Sequence, residues 1–188
     1  MQTQRVRSGT RTVWSIDRAH SIVEFTVKNF MFFTVKGSFR DISGILRREG
    51  DDIDRSTVEV AIKAASIATG IKRRDAHLRS KDFLNTDHYP DIGFQSTTVE
   101  RGGDRDTLRV TGLLTIKQTS REVVLDVNEM DWSRSPNGEE VVYYTATTEL
   151  DRFDFGVDYL RGVIGRKLQI AINVQASRRI DSGHAAVG

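Results

Sequence analysis

Thr107-Leu-Arg-Val-Thr-Gly-Leu-Leu-Thr-Ile116 and Glu122-Val-Val-Leu-Asp-Val127, joined by the polar stretch Lys117 to Arg121, decide the fold. In the second run Val123, Leu125 and Val127 fall on one side of an extended chain, and Glu122 and Asp126 on the other. This is the two-residue period of a strand with one apolar face. In the first run Val110, Gly112, Leu114 and Ile116 share a face. The same period recurs outward in both directions. Val58, Val60 and Ile62 alternate with Thr57, Glu59, Ala61 and Lys63; Val142, Tyr144, Ala146, Thr148, Leu150 and Arg152 share one parity, as do Leu168, Ile170, Ile172 and Val174. A lone hairpin cannot hide such a face, so the repetition predicts a sandwich or a closed barrel, and a barrel wide enough encloses a cavity.

Towards the N-terminus, Trp14 to Lys28 reads as one strand with Val23, Phe25 and Val27 on one face. Trp14 and Ile16 are out of phase with that set, which predicts a bulge or bend near Arg18 to His20. Val35, Gly37 and Phe39 follow, then Ile42, Gly44 and Leu46; glycines inside strands mark sharp bends or close backbone approach and suit a strongly curled sheet. Glu49 to Asp54 reads as an acidic turn. From Ser66 to Asn85 the period of two is lost, and Thr69 stands where an N-cap would open a helix over Gly70 to Arg79. Strands resume with Ile92, Phe94 and Ser96. The expectation is an all-β domain of about eight strands with one helical insertion, spanning residues 12–177, with flexible termini at 1–11 and 178–188. Its inward positions are Val23, Phe25, Val27, Val35, Phe39, Val58, Val60, Ile62, Phe94, Leu114, Ile116, Tyr144, Leu168 and Ile170.

Composition narrows the function. The 188 residues carry 28 basic and 26 acidic side chains, and a net charge of +2 gives no support to nucleic-acid binding. The absence of cysteine removes disulfides, thiolate metal sites and thiol catalysis together. Met1 to Trp14 lacks the apolar core of a secretory signal, and no run approaches the length of a membrane span, which predicts a soluble, cytoplasmic protein with no stable membrane insertion.

Few side chains offer chemistry. His20, His77, His88 and His184 contain no close pair at ligand spacing, so no metal site is assigned. Asp17, His20 and Ser21 suggest a triad, but neighbouring strand residues point to opposite faces, which favours a structural polar network at the barrel end. Arg73, Arg74 and Asp75 read either as an anion site or as charges that tie the helix to the barrel, and the mixed signs around them favour a solvated face. Arg152 lies on the inward parity, where a guanidinium is costly unless neutralised. Two roles fit it: a buried pair with a carboxylate such as Asp17, which is favoured, or an anchor for the polar end of a ligand.

The ordered motifs Trp14-Ser-Ile-Asp17-Arg-Ala-His20-Ser21, Phe25-Thr-Val27-Lys28, Val35-Lys-Gly37-Ser-Phe39, Ile42-Ser-Gly44, Ser66-Ile-Ala-Thr69, Arg74-Asp75-Ala-His77-Leu78-Arg-Ser80-Lys-Asp82-Phe83, Tyr89-Pro90-Asp-Ile92-Gly-Phe94, Gly112-Leu-Leu114-Thr115-Ile116 and Leu150-Asp-Arg152-Phe-Asp-Phe155-Gly156 together resemble the YceI-like family over about Trp14 to Ala176. The resemblance implies an eight-stranded antiparallel, lipocalin-like barrel with a helical insertion and an elongated apolar pocket. It also implies binding of polyisoprenoid chains, isoprenoid quinones or long-chain amphiphiles, and assembly as a homodimer. Where the family usually carries a glycine and a Val-Thr pair after Leu114-Thr115-Ile116, this chain has Gln118, Thr119 and Ser120, which predicts a wider hairpin. The leading expectation is a non-enzymatic protein, without a catalytic residue or obligatory cofactor, that holds an isoprenoid lipid or quinone against the inward set together with Leu78, Phe83 and Arg152. Leu78, Phe83 and Leu84 would cover one barrel end as a gate. The alternatives are an enzyme acting on a small lipid-like substrate in the same pocket, and a stress-related structural dimer whose interior is filled by side chains.

Overall fold

The computed structural model describes residues 11–29, 33–50, 52–104, 106–134 and 138–179. Ten strands form one antiparallel sheet: β1 (Arg11–Ile16), β2 (Ile22–Asn29), β3 (Thr34–Phe39), β4 (Ile42–Glu49), β5 (Asp52–Lys63), β6 (Asp91–Arg101), β7 (Thr107–Ile116), β8 (Thr119–Arg134), β9 (Glu139–Asp151) and β10 (Ile164–Arg179). The order β1-β4-β5-β6-β7-β8-β9-β10 closes on itself because β10 also pairs with β1. Beyond the β1 contact, the same edge of β10 pairs with β2, from Asn173↔Ile22 to Ile164↔Asn29. β1 and β2 thus occupy one barrel position in succession, and β4 and β3 occupy the next, so ten strands make a closed eight-stranded barrel. Such closure leaves no sheet edge exposed over most of the circumference.

The expected single strand from Trp14 to Lys28 is therefore two strands, and the expected break near Arg18 to His20 is a bend, the 3-10 turn Arg18–His20, and not a bulge. Asp17 causes it: its carboxylate accepts the Ala19 N–H at 2.8 Å and caps the turn. The turn is tied to β10, since the Asp17 N–H donates to the Gln175 carbonyl at 2.8 Å and the Gln175 N–H donates to Ser21 Oγ at 3.2 Å.

Three other expectations change. The β7–β8 hairpin is tight, with Ile116 opposite Thr119 and Lys117 at φ 57°, the positive φ that two-residue hairpins favour. The acidic turn shrinks, because Glu49 already pairs with Asp52; residue 51 lies outside the described residues. The barrel also includes Arg11, Arg178 and Arg179, and Arg178 Nε donates to the buried Glu140 carboxylate at 2.6 Å. The expected flexibility of the termini otherwise concerns residues 1–10 and 180–188, which, like residues 135–137 of the expected Ser135 to Gly138 turn, lie outside the described residues.

The helix α1 is Lys72–Arg79, shorter than expected. Gly70 has φ 82° and Ile71 is extended, so neither is helical, and Thr69 is not the N-cap. Ahead of α1, Ala68 makes an antiparallel bridge to Ser38, with N–H to carbonyl distances of 2.8 and 2.9 Å in the two directions. This bridge covers the edge of β3 that β5 leaves free. It brings the helical insertion over one end of the barrel.

Candidate functional site: an apolar cavity inside the barrel

The barrel encloses a cavity of about 780 Å³ whose walls are almost wholly apolar. Every residue of the expected inward set lines it except Val58 and Tyr144, and Leu78, Phe83 and Arg152 line it as well. Val58 and Tyr144 instead line a second cavity of about 110 Å³. Their strands have the expected parity, but both residues sit lower in the barrel. A filled interior is excluded by the volume of the larger cavity.

Glycine placement creates part of the space. Gly37 lies opposite Phe25 in the β2–β3 ladder, and a Cβ built on Gly37 would stand 2.3 Å from Phe25 Cζ. Gly112 lies diagonal to Phe94, being opposite Ser96 in the β6–β7 ladder, and a Cβ on it would stand 2.5 Å from the Gln95 carbonyl oxygen and 2.6 Å from Phe94 Cζ. Each missing side chain lets an aromatic ring lie down against the strand rather than project across the lumen.

Two segments roof the cavity. One is α1 with the following turn, in which Phe83 and Leu84 are buried and Leu78 is half-buried. It is held by a polar knot at its start. The buried Asp75 carboxylate accepts both the Thr69 N–H (2.8 Å) and the Thr69 hydroxyl, and Arg74 donates to Thr69 Oγ1 (2.7 Å) and to the Thr69 carbonyl (3.0 Å). The Thr69 hydroxyl bond, assisted by the Thr69 N–H and by Arg79 and Arg74, holds the Asp75 carboxyl below the usual carboxylate range. Arg79 reaches back to the carbonyls of Ala65 and Ile67, each at 2.7 Å. Arg74, Asp75 and Arg79 therefore tie the segment together rather than forming a solvated face, and only Arg73 of the expected trio is left exposed, beside the cavity.

The other roof segment is the loop between Gly156 and Val163, and Arg152 builds it. The residue is 5% exposed, and its guanidinium donates to four carbonyls: Val157 (2.6 Å), Tyr159 (2.9 Å), Gly165 (2.9 Å) and Ile164 (3.0 Å). Burial, more than any neighbouring charge, lowers its pKa below the ordinary arginine value. The expected partner Asp17 is engaged elsewhere, with His20 (2.8 Å) and Gln175 (3.3 Å). Neither expected role of Arg152 matches this geometry: it forms no carboxylate pair, and its donors are directed at the loop backbone instead of being left for a ligand head.

The two roof segments touch through Tyr159, whose ring meets His77 and Phe83 edge-on, each at 5.3 Å between centroids. Around this contact the cavity wall runs out to the surface in Ile71, Leu160 and Val163, which are 53%, 40% and 48% exposed. The mouth is thus rimmed by apolar side chains.

Groups that might do chemistry lie away from this space. Asp17, His20 and Ser21 do not line it, and Ser21 bonds to the Gln175 backbone rather than to His20, so the polar-network reading fits. No group of three or more metal-ligating side chains occurs among the described residues; His184 lies outside them. No helix among the described residues is long and apolar enough to cross a membrane.

At the opposite end of the lumen is a polar cluster in which Tyr144 belongs to the expected inward set and Arg48 and Glu129 do not. Arg48 Nη1 donates to both carboxylate oxygens of Glu129 (3.1 and 3.4 Å) and to the Tyr144 phenolic oxygen (3.4 Å). Burial, followed by the neighbouring Glu129 charge, pushes the Tyr144 hydroxyl up to about 12. Arg48 continues the parity of Ile42, Gly44 and Leu46, and Glu129 that of Val123, Leu125 and Val127. Polar residues on an inward parity are the signal that would have found them.

Comparison with known proteins agrees with this architecture. The family model described as the YceI-like domain matches residues 14–176. A protein named YceI from Shigella flexneri is 30% identical over 156 residues, covering 83% of this chain and 81% of the relative. A UPF0312 protein from Azotobacter vinelandii is 29% identical over 160 residues, covering 85% and 83%. Among solved structures, Burkholderia cenocepacia BcnA superposes with a TM-score of 0.74 at 21% identity, covering 85% of this chain and 98% of that one. A polyisoprenoid binding domain from Saccharophagus degradans, implicated in plant cell wall breakdown, has a TM-score of 0.64 at 15% identity, covering 87% and 97%.

Proposed function

Because this chain belongs to the family of YceI-like domains, we propose that it is a binding protein that holds the apolar chain of an isoprenoid or comparable long-chain lipid inside the barrel and shields it from water. The observation that carries this reading is the cavity of about 780 Å³, almost wholly apolar, with Arg74, Arg152 and His77 on its boundary already bonded to protein groups and Arg73 exposed at its rim. At roughly 0.8 kcal/mol per buried methylene, about 20 chain carbons would gain near 16 kcal/mol gross. Association and ordering offset about 4 to 15 kcal/mol of that. An apolar tail alone can therefore give useful affinity without strong polar contacts. Among the described residues that line the lumen no nucleophile stands beside a base, and the His20–Asp17 pair lies outside it, which is why binding rather than catalysis is proposed.

Solvent extraction of the purified protein followed by mass spectrometry tests the proposal. A long-chain lipid in stoichiometric amount supports it. A protein that neither carries nor takes up such lipids after delipidation contradicts it.

A further inference from the structure

The mouth of the large cavity gathers exposed apolar side chains from separate parts of the chain. Ile71, Leu160 and Val163 reach solvent there, and Phe33, 72% exposed, joins them. Phe33 lies one residue beyond the pair Lys28↔Thr34 at the end of the β2–β3 ladder, where Asn29↔Ile164 brings β10 alongside. Ile71 comes to the same end because the antiparallel bridge Ser38↔Ala68 sends the chain after Ala68 back along β3 towards Val35. Leu160 is held at φ 56°, a left-handed conformation that glycine and asparagine adopt far more readily than leucine. An exposed leucine in a backbone conformation that disfavours it points to a use for the side chain outside the fold.

The charge around this rim is one-sided. Residues 69–85 and 156–163, the two roof segments, carry six lysine and arginine side chains against three carboxylates, an excess larger than the +2 of the whole chain. All three carboxylates are engaged, Asp75 with Thr69, Asp82 with His77 (3.0 Å) and Asp158 with Arg161. Lys72 and Arg73, next to Ile71, are exposed and form no ion pair among the described residues. Outside the roof, Lys28 and Lys36 stand exposed on the outer wall near Phe33, and Asp154 is exposed just ahead of the loop, so the neighbourhood keeps the positive sign.

We propose that the mouth docks on the surface of an anionic lipid bilayer, with Phe33, Ile71, Leu160 and Val163 entering the interface and Lys72 and Arg73 meeting head-group phosphates. The purpose of docking rests on the lipid-binding reading: a chain that passes between bilayer and barrel through an apposed mouth does not cross water. Exposed apolar side chains ringed by cations are what a peripheral membrane site requires, because its strength comes from buried apolar area together with attraction to anionic lipids. The excess charge also disfavours a second copy of the same face as the occupant, since two such faces would set like charges against each other. The cavity opens within the patch, as Ile71, Arg73, Leu160 and Val163 line both.

Flotation of the full, delipidated chain with phosphatidylcholine vesicles, with and without phosphatidylglycerol, tests this. Wild type is expected to float with the vesicles that contain phosphatidylglycerol, less so as salt rises, and far less with phosphatidylcholine alone. Lys72→Gln and Arg73→Gln should each weaken binding to the anionic vesicles about fivefold. Leu160→Asn should weaken it several-fold, yet melt no lower than wild type because asparagine suits the left-handed backbone, and this separates lost docking from lost folding. Arg109→Gln removes an exposed cation of β7 beside Val110 of the lower cavity and should change nothing. A wild type that floats with neither vesicle, floats equally with both, or is weakened as much by Arg109→Gln as by Arg73→Gln would overturn the docking site. Uptake of an isoprenoid lipid from cyclodextrin, measured on the same sample, keeps the two readings apart. A chain that takes up lipid but does not float overturns docking alone, and one that floats but takes up none supports docking while contradicting the lipid-binding reading.

Discussion

Phe25 lies over Gly37: the two are directly opposite in the β2–β3 ladder, and a Cβ on the glycine would fall 2.3 Å from the phenyl Cζ. Any side chain at this position must displace the ring and the Thr69 methyl, which would stand 2.8 Å away. Gly37→Ala should therefore cost about 1–3 kcal/mol through overpacking and should reduce lipid uptake more than its loss of stability accounts for. A melting curve beside a binding titration checks this. A variant that melts normally and binds normally would show that the ring can lie elsewhere.

Arg152 is a scaffold for the roof loop. Arg152→Met leaves the carbonyls of Val157, Tyr159, Ile164 and Gly165 without their donor, for an expected loss of roughly 2–4 kcal/mol. Amide exchange should quicken in residues 157–165. Asp17→Asn should leave that loop unchanged, because Asp17 bonds to His20, Ala19 and Gln175 instead.

Asp75 makes the α1 roof sensitive to acid. Its carboxyl is held below the ordinary value by the Thr69 hydroxyl first. A depressed folded-state value contributes stability that is fully present above the unfolded value of about 3.9 and is lost as pH falls through the folded value beneath it. Hydrogen exchange of residues 69–85 should therefore accelerate only below about pH 4, and in Asp75→Asn it should already be fast at neutral pH.

Phe83 is 5% exposed and packs edge-on against Tyr159 across the join between the roof segments. Phe83→Ala should open that join and speed release of a fluorescent isoprenoid analogue several-fold. Unchanged affinity and unchanged release would show that the roof is not the route of exit.

Parity made most of the barrel legible in the sequence. Val23, Phe25 and Val27 against Glu24, Thr26 and Lys28 locate a wall of the cavity before any coordinates are known. The phase change at Trp14 and Ile16 was visible too, but not its form, because a capped 3-10 turn and a bulge shift parity alike. Arg152 was recognised as buried, yet its partners are backbone carbonyls, which no side-chain pattern encodes. Arg48 and Glu129 keep the inward parity of their strands, but a pattern of apolar residues does not single them out. Val58 and Tyr144 face inward as expected, but depth along the barrel depends on strand stagger, which parity does not carry.

Native mass spectrometry of the delipidated chain with a long-chain isoprenoid lipid, beside a cavity-filling Val60→Trp Leu114→Trp variant, tests the central claim most directly. Both positions line the large cavity. The account predicts a one-to-one lipid adduct on wild type and none on the folded variant. A wild type without adduct, or an adduct that persists when the lumen is filled, would contradict it.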